Sequence, residues 1–305
     1  MDHSYVVGID IGGTNFRIGT VDEDGRSEHF RKVRVKEVFF SGDPLKDLME
    51  YVRKYCKMLE DEGKAPEAAA IGFPATLDRE RKVVLQAPNV AFVENLPVVD
   101  VLEEALGIPV MIERDVSMAL LYDKKKYQLP SCEVLVGCYF GTGIGNAIMV
   151  DGRILLGKNG TAGELGHIPV DGSSLLCGCG NIGCMENLAG GKYLEYLCRE
   201  VYPDTKVEDL FLRFGNDPLL KQFVDRIAMA VATEINILNP DYVLIGGGVP
   251  NMKGFPKDEL TKRIHLRTRK PYPEEDLQLL YTEDDEDKAV IGAAFYARER
   301  IRRNE

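Results

Sequence analysis

The stretch Tyr5–Val21, YVVGIDIGGTNFRIGTV, decides how this chain is read. YVVGID is an apolar run that ends in a carboxylate, Asp10, and FRIGTV alternates like the second strand of a hairpin. Between them Gly12, Gly13 and Thr14 form a tight turn whose uncovered backbone N–H groups can approach a phosphate. Taken alone, a glycine pair is equally an ordinary hairpin turn. The stretch Val134–Ile154, VLVGCYFGTGIGNAIMVDGRI, repeats the plan of strand, glycine turn and strand. Gly12 aligns with Gly141, and Gly13-Thr14 with Thr142-Gly143. A duplicated unit of this kind predicts two related halves that clamp a phosphate ligand.

The sequence between and after the hairpins is α/β. Residues 44–63 have helical spacing, with Leu45, Leu48, Met49, Val52, Tyr55, Cys56 and Leu59 on one face and Gly63 at the C-terminal end. AAAIGFPA (68–75) reads as a buried strand, and residues 97–123 as helix, strand and helix, with Asp115 at the strand-to-helix turn. In open α/β sheets ligands bind at such turns. The chain then becomes mainly helical through residue 240; DYVLIGGGV (241–249) is a further strand, and residues 287–300 form a closing helix. The acidic run TEDDEDKA (282–289) reads as a solvated helix start.

A chain of 305 residues predicts two domains, and 45% hydrophobic content with mixed charge predicts a globular protein. A net charge of -11 argues against a nucleic-acid surface. No apolar run reaches the ~18 residues a membrane helix needs, and the first residues do not read as a signal peptide. Seven cysteines, three of them in one loop, point to thiols in a reducing, cytoplasmic compartment.

That loop is GHIPVDGSSLLCGCGNIGCME (166–186). Gly178, Gly180 and Gly183 let the backbone fold around Cys177, Cys179 and Cys184, and His167 supplies an imidazole. One nitrogen and three sulfurs suit tetrahedral zinc and leave no open position for a catalytic water, so the expected ion is structural. Free thiols are the alternative. Cys56, Cys132, Cys138 and Cys198 read as ordinary buried thiols.

With these residues in view the chain resembles the ROK family (repressors, open reading frames and sugar kinases) over nearly its whole length. DIGGTNFR (10–17) is similar to the first phosphate motif, FGTGIG (140–145) to the second, and IGGGV (245–249) to the adenosine motif. ELGH (164–167) followed by CGCGNIGCME (177–186) is similar to the sugar and zinc signature. RDVSMALLYD (114–123), GKNGTAGELGHIPV (157–170) and GGGVPNMKGFPKDEL (246–260) look closest to bacterial D-allose kinases. The resemblance implies the actin-like ATPase fold, with two ribonuclease-H-like domains flanking a nucleotide and sugar cleft. It implies a domain of residues 1–116 joined by helix 289–305, a second of residues 117–288, and a homodimer. A repressor of this family would carry a helix-turn-helix module before the first strand, whereas here that strand begins at about Tyr5; a non-catalytic sugar sensor would have lost Asp115 or a phosphate glycine.

The implied activity is ATP-dependent phosphorylation of the primary (6-) hydroxyl of a hexose, D-allose first, with glucose, fructose or N-acetylmannosamine as alternatives. Asp10 would hold Mg2+ through water. Gly12, Gly13, Thr14, Asn15, Arg17, Thr142, Gly143, Gly247 and Gly248 would bind the nucleotide and its phosphates. Asp115 would be the general base, its alternative role a helix N-cap. Gly72, Asn89, Arg114, Glu164, His167 and Glu186 would line the sugar site. His167 would bind zinc through one nitrogen and the sugar through the other. Sugar kinases of the family usually carry Asn-Asp where this chain has Arg114-Asp115. Arg114 can only donate, and a cation beside the base is expected to favour the ionised carboxylate. Either the guanidinium enters the site or it turns away to a surface acid.

Overall fold

The computed structural model describes residues 4–88 and 90–303. The chain divides into two compact units: Met1–Gln128, Leu156–Thr161 and Asp285–Glu305 form unit 1, and Leu129–Leu155 with Ala162–Asp284 form unit 2.

In unit 1, β1 (Tyr5–Ile11), β2 (Asn15–Val21) and β3 (Ser27–Arg34) form an antiparallel meander. α1 (Val35–Val38) and α2 (Pro44–Asp61) lead to β4 (Pro66–Phe73), a small hairpin of β5 (Thr76–Leu77) and β6 (Val84–Gln86), then α3 (Val98–Leu106), β7 (Val110–Arg114) and α4 (Asp115–Lys126). The sheet order is β3-β2-β1-β4-β7, with β1, β4 and β7 parallel. The Asp43 side chain caps α2 by accepting from Lys46 N, Pro44 occupies the first turn where no N–H is needed, and Gly63 follows the end with φ 75°. Leu48, Val52, Tyr55 and Leu59 of α2 and Val98 and Leu102 of α3 are buried with Val7, Ile9 and Ile11 on one face of the sheet.

In unit 2, β8 (Val134–Phe140), β9 (Ile144–Val150) and β10 (Arg153–Ile154) repeat the meander. α5 (Glu186–Ala189), α6 (Gly191–Glu200), α7 (Leu210–Phe214) and α8 (Pro218–Leu238) follow, then β11 (Tyr242–Gly246), α9 (Lys257–Arg267) and β12 (Leu279–Tyr281). The order β10-β9-β8-β11-β12, with β8, β11 and β12 parallel, is the order of unit 1 again. The buried face of α8, including Phe223, Ile227 and Val231, packs with Val136, Phe140, Val243 and Ile245. α10 (Lys288–Arg303) returns to unit 1, where it packs on β1, β4 and α4.

Three details differ from the sequence reading. The first division falls after Gln128, past residue 116, because α4 packs against α10 within unit 1. The acidic run is not merely solvated: Asp285 accepts from Tyr122 Oη and Lys126 Nζ, and the buried Lys288 donates to Asp123 Oδ2 at 2.6 Å. Cys56 and Cys138 are buried, whereas Cys132 and Cys198 are only partly so. No described helix is long and apolar enough to cross a membrane.

Candidate active site

The two glycine turns have matching construction. Each joins seven-residue strands, and the first glycine closes the turn: Gly12 N donates to Asn15 O and Gly141 N to Gly143 O, both at 3.0 Å. In unit 1 Gly13 and Thr14 line a cavity of about 990 Å³ with Arg34, Lys36, Phe39 and Phe92. Thr14 O also accepts from Val35 N, which ties the turn to α1.

Asp10 and Arg17 face each other across the β1–β2 ladder, and Arg17 Nη1 donates to Asp10 Oδ2 at 2.6 Å. Arg17, read from the sequence as a phosphate ligand, is thus engaged with Asp10. Asp10 is buried, and desolvation raises its carboxyl even though Arg17 opposes the shift. A carboxylate with one oxygen on Arg17 and the other left for a metal-bound water fits an outer-sphere Mg2+ ligand.

Asp115 is the first residue of α4 and Arg114 its N-cap; the Asp115 carboxylate accepts from Val116 N at 2.8 Å. Asp115 keeps some exposed surface but is crowded enough that burial pushes its carboxyl up to about 7, and the nearby Asp10 charge adds to the rise. Arg114 acts in the expected direction, its charge lowering the value, but desolvation and Asp10 outweigh it. Arg114 is itself buried. Gly72, at the end of β4, sits against Met118 Sδ and the Asp115 Cα. Asn89 lies outside the described residues.

In unit 2, Glu186 opens α5 and its Oε2 accepts from Ile144 N at 3.0 Å, directly under the second turn. A Cβ on Gly143 would overlap that carboxylate, so only glycine allows the turn and Glu186 to meet. Gly247 has φ 93°, and a side chain there would collide with the Phe140 backbone. Thr142 and Gly248 share a cavity of about 720 Å³ with Gly141, Gly191, Glu195, Val249, Asn251 and Lys253. Gly143 and Gly247 are not among its lining residues. Sequence reasoning missed Gly191, Glu195 and Asn251; the Gly190-Gly191 pair at the start of α6 was the available signal.

The histidine–cysteine loop converges. One donor atom from each of His167, Cys177, Cys179 and Cys184 lies within 4.8 Å of all the others. Cys179 Sγ and Cys184 Sγ are 3.7 Å apart, and Cys177 Sγ is 3.7 Å from His167 Nδ1. A regular tetrahedron with edges of that length has its centre about 2.3 Å from each corner, the length of a zinc–sulfur bond, so these two separations are compatible with a tetrahedral zinc. Gly180 and Gly183 take positive φ, and the pairings of Pro169 with Cys184 and Leu176 with Ile182 fold the loop back on itself. His167 Nε2 faces the other way, 3.6 Å from Glu164 Oε2, so the two ring nitrogens serve different neighbours.

Comparison with known proteins places this architecture. A glucokinase of Thermotoga maritima is 28% identical over 97% of this chain and 98% of its own length. An N-acetyl-D-glucosamine kinase of Vibrio cholerae is 28% identical over 94% of this chain and 98% of its own. The crystal structure of a ROK family glucokinase from Streptomyces griseus, in complex with glucose and AMPPNP, is similar with a TM-score of 0.78 at 25% identity, over 97% of this chain and 100% of that one. The ROK family profile matches residues 6–300, and with its two like-ordered sheets in the actin-like ATPase fold this chain belongs to the ROK family.

Proposed function

We propose that this ROK-family sugar kinase transfers the γ-phosphoryl group of ATP to the primary hydroxyl of a hexose, with D-allose as the preferred epimer. The observation that supports the reaction best is Asp115, a carboxyl at the end of β7 and the head of α4 whose affinity for a proton lies near neutrality. Such a group takes a proton from a hydroxyl and releases it again at physiological pH. Asp115 accepts the hydroxyl proton as the sugar oxygen bonds to the γ-phosphorus and the bond to the leaving ADP oxygen breaks. Gly13 and Thr14 of the first turn and Thr142 and Gly143 of the second give their N–H and hydroxyl donors to phosphate oxygens, and the cavity of Gly191, Val249 and Asn251 receives the nucleoside. Glu164, His167 and Glu186 bind ring hydroxyls, and Arg114 donates where the family's usual asparagine would both donate and accept. Mg2+ held through Asp10 supplies charge neutralisation for the phosphates. Zinc held by His167, Cys177, Cys179 and Cys184 fixes the loop and the histidine tautomer.

Allose and glucose differ only at the 3-hydroxyl. A partner left unpaired by the wrong epimer costs about 1–3 kcal/mol, which is roughly tenfold to a hundredfold in specificity. Glucose is the second reading, favoured by the glucokinase relatives. A hexose panel with ATP and Mg2+, with the product's phosphate position assigned by NMR, tests both. D-allose 6-phosphate formed with the highest kcat/KM is the expected result, with Arg114→Asn shifting preference toward glucose. A wild-type preference for glucose would refute the epimer assignment, and transfer to no hexose would refute the reaction.

A further inference from the structure

Arg81 and Glu113 form an ion pair in unit 1 with exposures of only 5% and 1%, and the chemistry above uses neither. Arg81 lies in the turn between β5 and β6. Asp78 Oδ1 tightens that turn by accepting from Lys82 N and Val83 N, both at 2.7 Å. Arg81 has φ 57°, a backbone conformation few side chains adopt, and from it the guanidinium reaches inward. Its Nε donates to Glu113 Oε2 at 2.9 Å, its Nη1 to Asp78 O at 3.0 Å, and both Nη1 and Nη2 to Gly160 O at 3.2 Å.

The second oxygen of Glu113 is also committed. Oε1 accepts from Arg114 N at 2.8 Å and from Ser117 Oγ at 3.5 Å. Those two groups bracket Asp115: one belongs to the residue before it, the other to the first turn of α4 after it. One buried carboxylate therefore holds the backbone on which the Asp115 side chain is mounted, and Arg81 balances its charge and fixes its rotamer. A lysine could supply the charge but not the forked set of donors.

We propose that Arg81 and Glu113 are positioning residues for the Asp115 base, setting the direction of its carboxyl through the Glu113–Arg114 and Glu113–Ser117 hydrogen bonds. The proposal rests on the reading of Asp115 as the base. It carries an electrostatic signature as well as a geometric one. The charges of Asp10 on β1, itself paired with Arg17 of β2, and of Arg114 on β7 act on Asp115; Glu113 also faces Tyr296 of α10, whose other charged neighbours include Arg300. In the intact pair the charges of Arg81 and Glu113 cancel. Removing the cation leaves an extra anion near Asp115 and must raise its pKa; removing the anion leaves an extra cation and must lower it. The opposite shifts report the two charges; a kcat that stays low on the plateau, and in the double variant whose charges again balance, reports the positioning.

The experiment is the pH dependence of kcat, at saturating hexose and ATP, for the full chain and for Arg81→Met, Glu113→Gln and the double variant. Arg81→Met is expected to lower kcat about tenfold to a hundredfold through misplacement of the base. Its acid limb should move up by about half a unit, and that of Glu113→Gln down by a similar amount. The double variant should restore the limb to within about 0.2 unit of wild type while kcat stays low, and the KM for ATP should change less than about threefold throughout. Limbs that stay put, or move the same way in both single variants, would overturn the proposal. If Arg81→Met does not fold, Arg81→Lys takes its place: a lowered kcat with an unmoved limb supports positioning, and an unchanged kcat overturns it. Asp115→Asn run alongside separates the two assignments, because turnover in that variant would overturn the base itself.

Discussion

Replacing Glu234 by glutamine should stabilise unit 2 at alkaline pH and leave it nearly unchanged in acid. Glu234 projects from α8 with 6% exposure, and its Oε2 accepts from Asn146 Nδ2 at 2.9 Å and Cys138 Sγ at 3.3 Å. No described cation pairs with it, and burial raises its carboxyl from 4.5 to about 7. Below pH 4.5 the group is protonated in the folded and unfolded chains alike, so it contributes no pH-dependent term. Between 4.5 and 7 the unfolded chain loses the proton while the folded chain keeps it, so stability falls as pH rises and levels off above 7. About 2.5 units at 1.36 kcal/mol each give a loss on the order of 3 kcal/mol, which Glu234→Gln removes while retaining an acceptor for Asn146. Hydrogen exchange of the α8 core amides reads this directly. At pH 8 the variant's protection should exceed wild type by roughly a hundredfold, and at pH 4.5 the two should agree within a few-fold. Equal differences at both pH values, or weaker protection at pH 8, would refute the reasoning.

Asp115→Asn should abolish phosphoryl transfer, leave sugar binding measurable by calorimetry, and raise the melting temperature at pH 8, because it removes a carboxyl that burial holds up at about 7. In the wild type kcat should rise with pH through about 7 as Asp115 loses its proton, and a flat profile between pH 5 and 8 would contradict that role. Elemental analysis of chelator-washed protein should find about one zinc per chain, and Cys179→Ser should lose it and melt several degrees lower. Active, folded protein without zinc would reject the metal assignment.

The first two strands of each meander and the turn between them were legible because period and composition agree there: alternating apolar residues stop at glycines; β3, a mostly polar strand, was not. Asp115 was legible for a similar reason, standing at the abrupt change from an apolar strand to a helix. What the sequence concealed depends on pairing across space. Arg17 looks like a phosphate donor until the register of β1 and β2 sets it opposite Asp10. Arg81 sits in the charged run DRERK, and only its left-handed backbone turns the side chain inward. Glu113 offered a signal that went unused, a lone carboxylate near the end of the apolar strand VMIER. Glu234 offered none, because one acid on a long amphipathic helix is ordinary unless its buried neighbours are known.

The return of α10 to unit 1 bears on how the protein is made. A ribosome releases β1 through α4 first, yet the helix that packs on β1, β4 and α4 is synthesised only after every residue of unit 2. Throughout that interval the face of the nascent unit 1 sheet that α10 covers has α4 beside it but lacks α10. Unit 2 has no such wait, since all its elements lie between residues 129 and 284. The later half of the chain can therefore complete its core before the earlier half does. Slowed translation between α4 and α10 would prolong the exposure of unit 1 to chaperones and to aggregation.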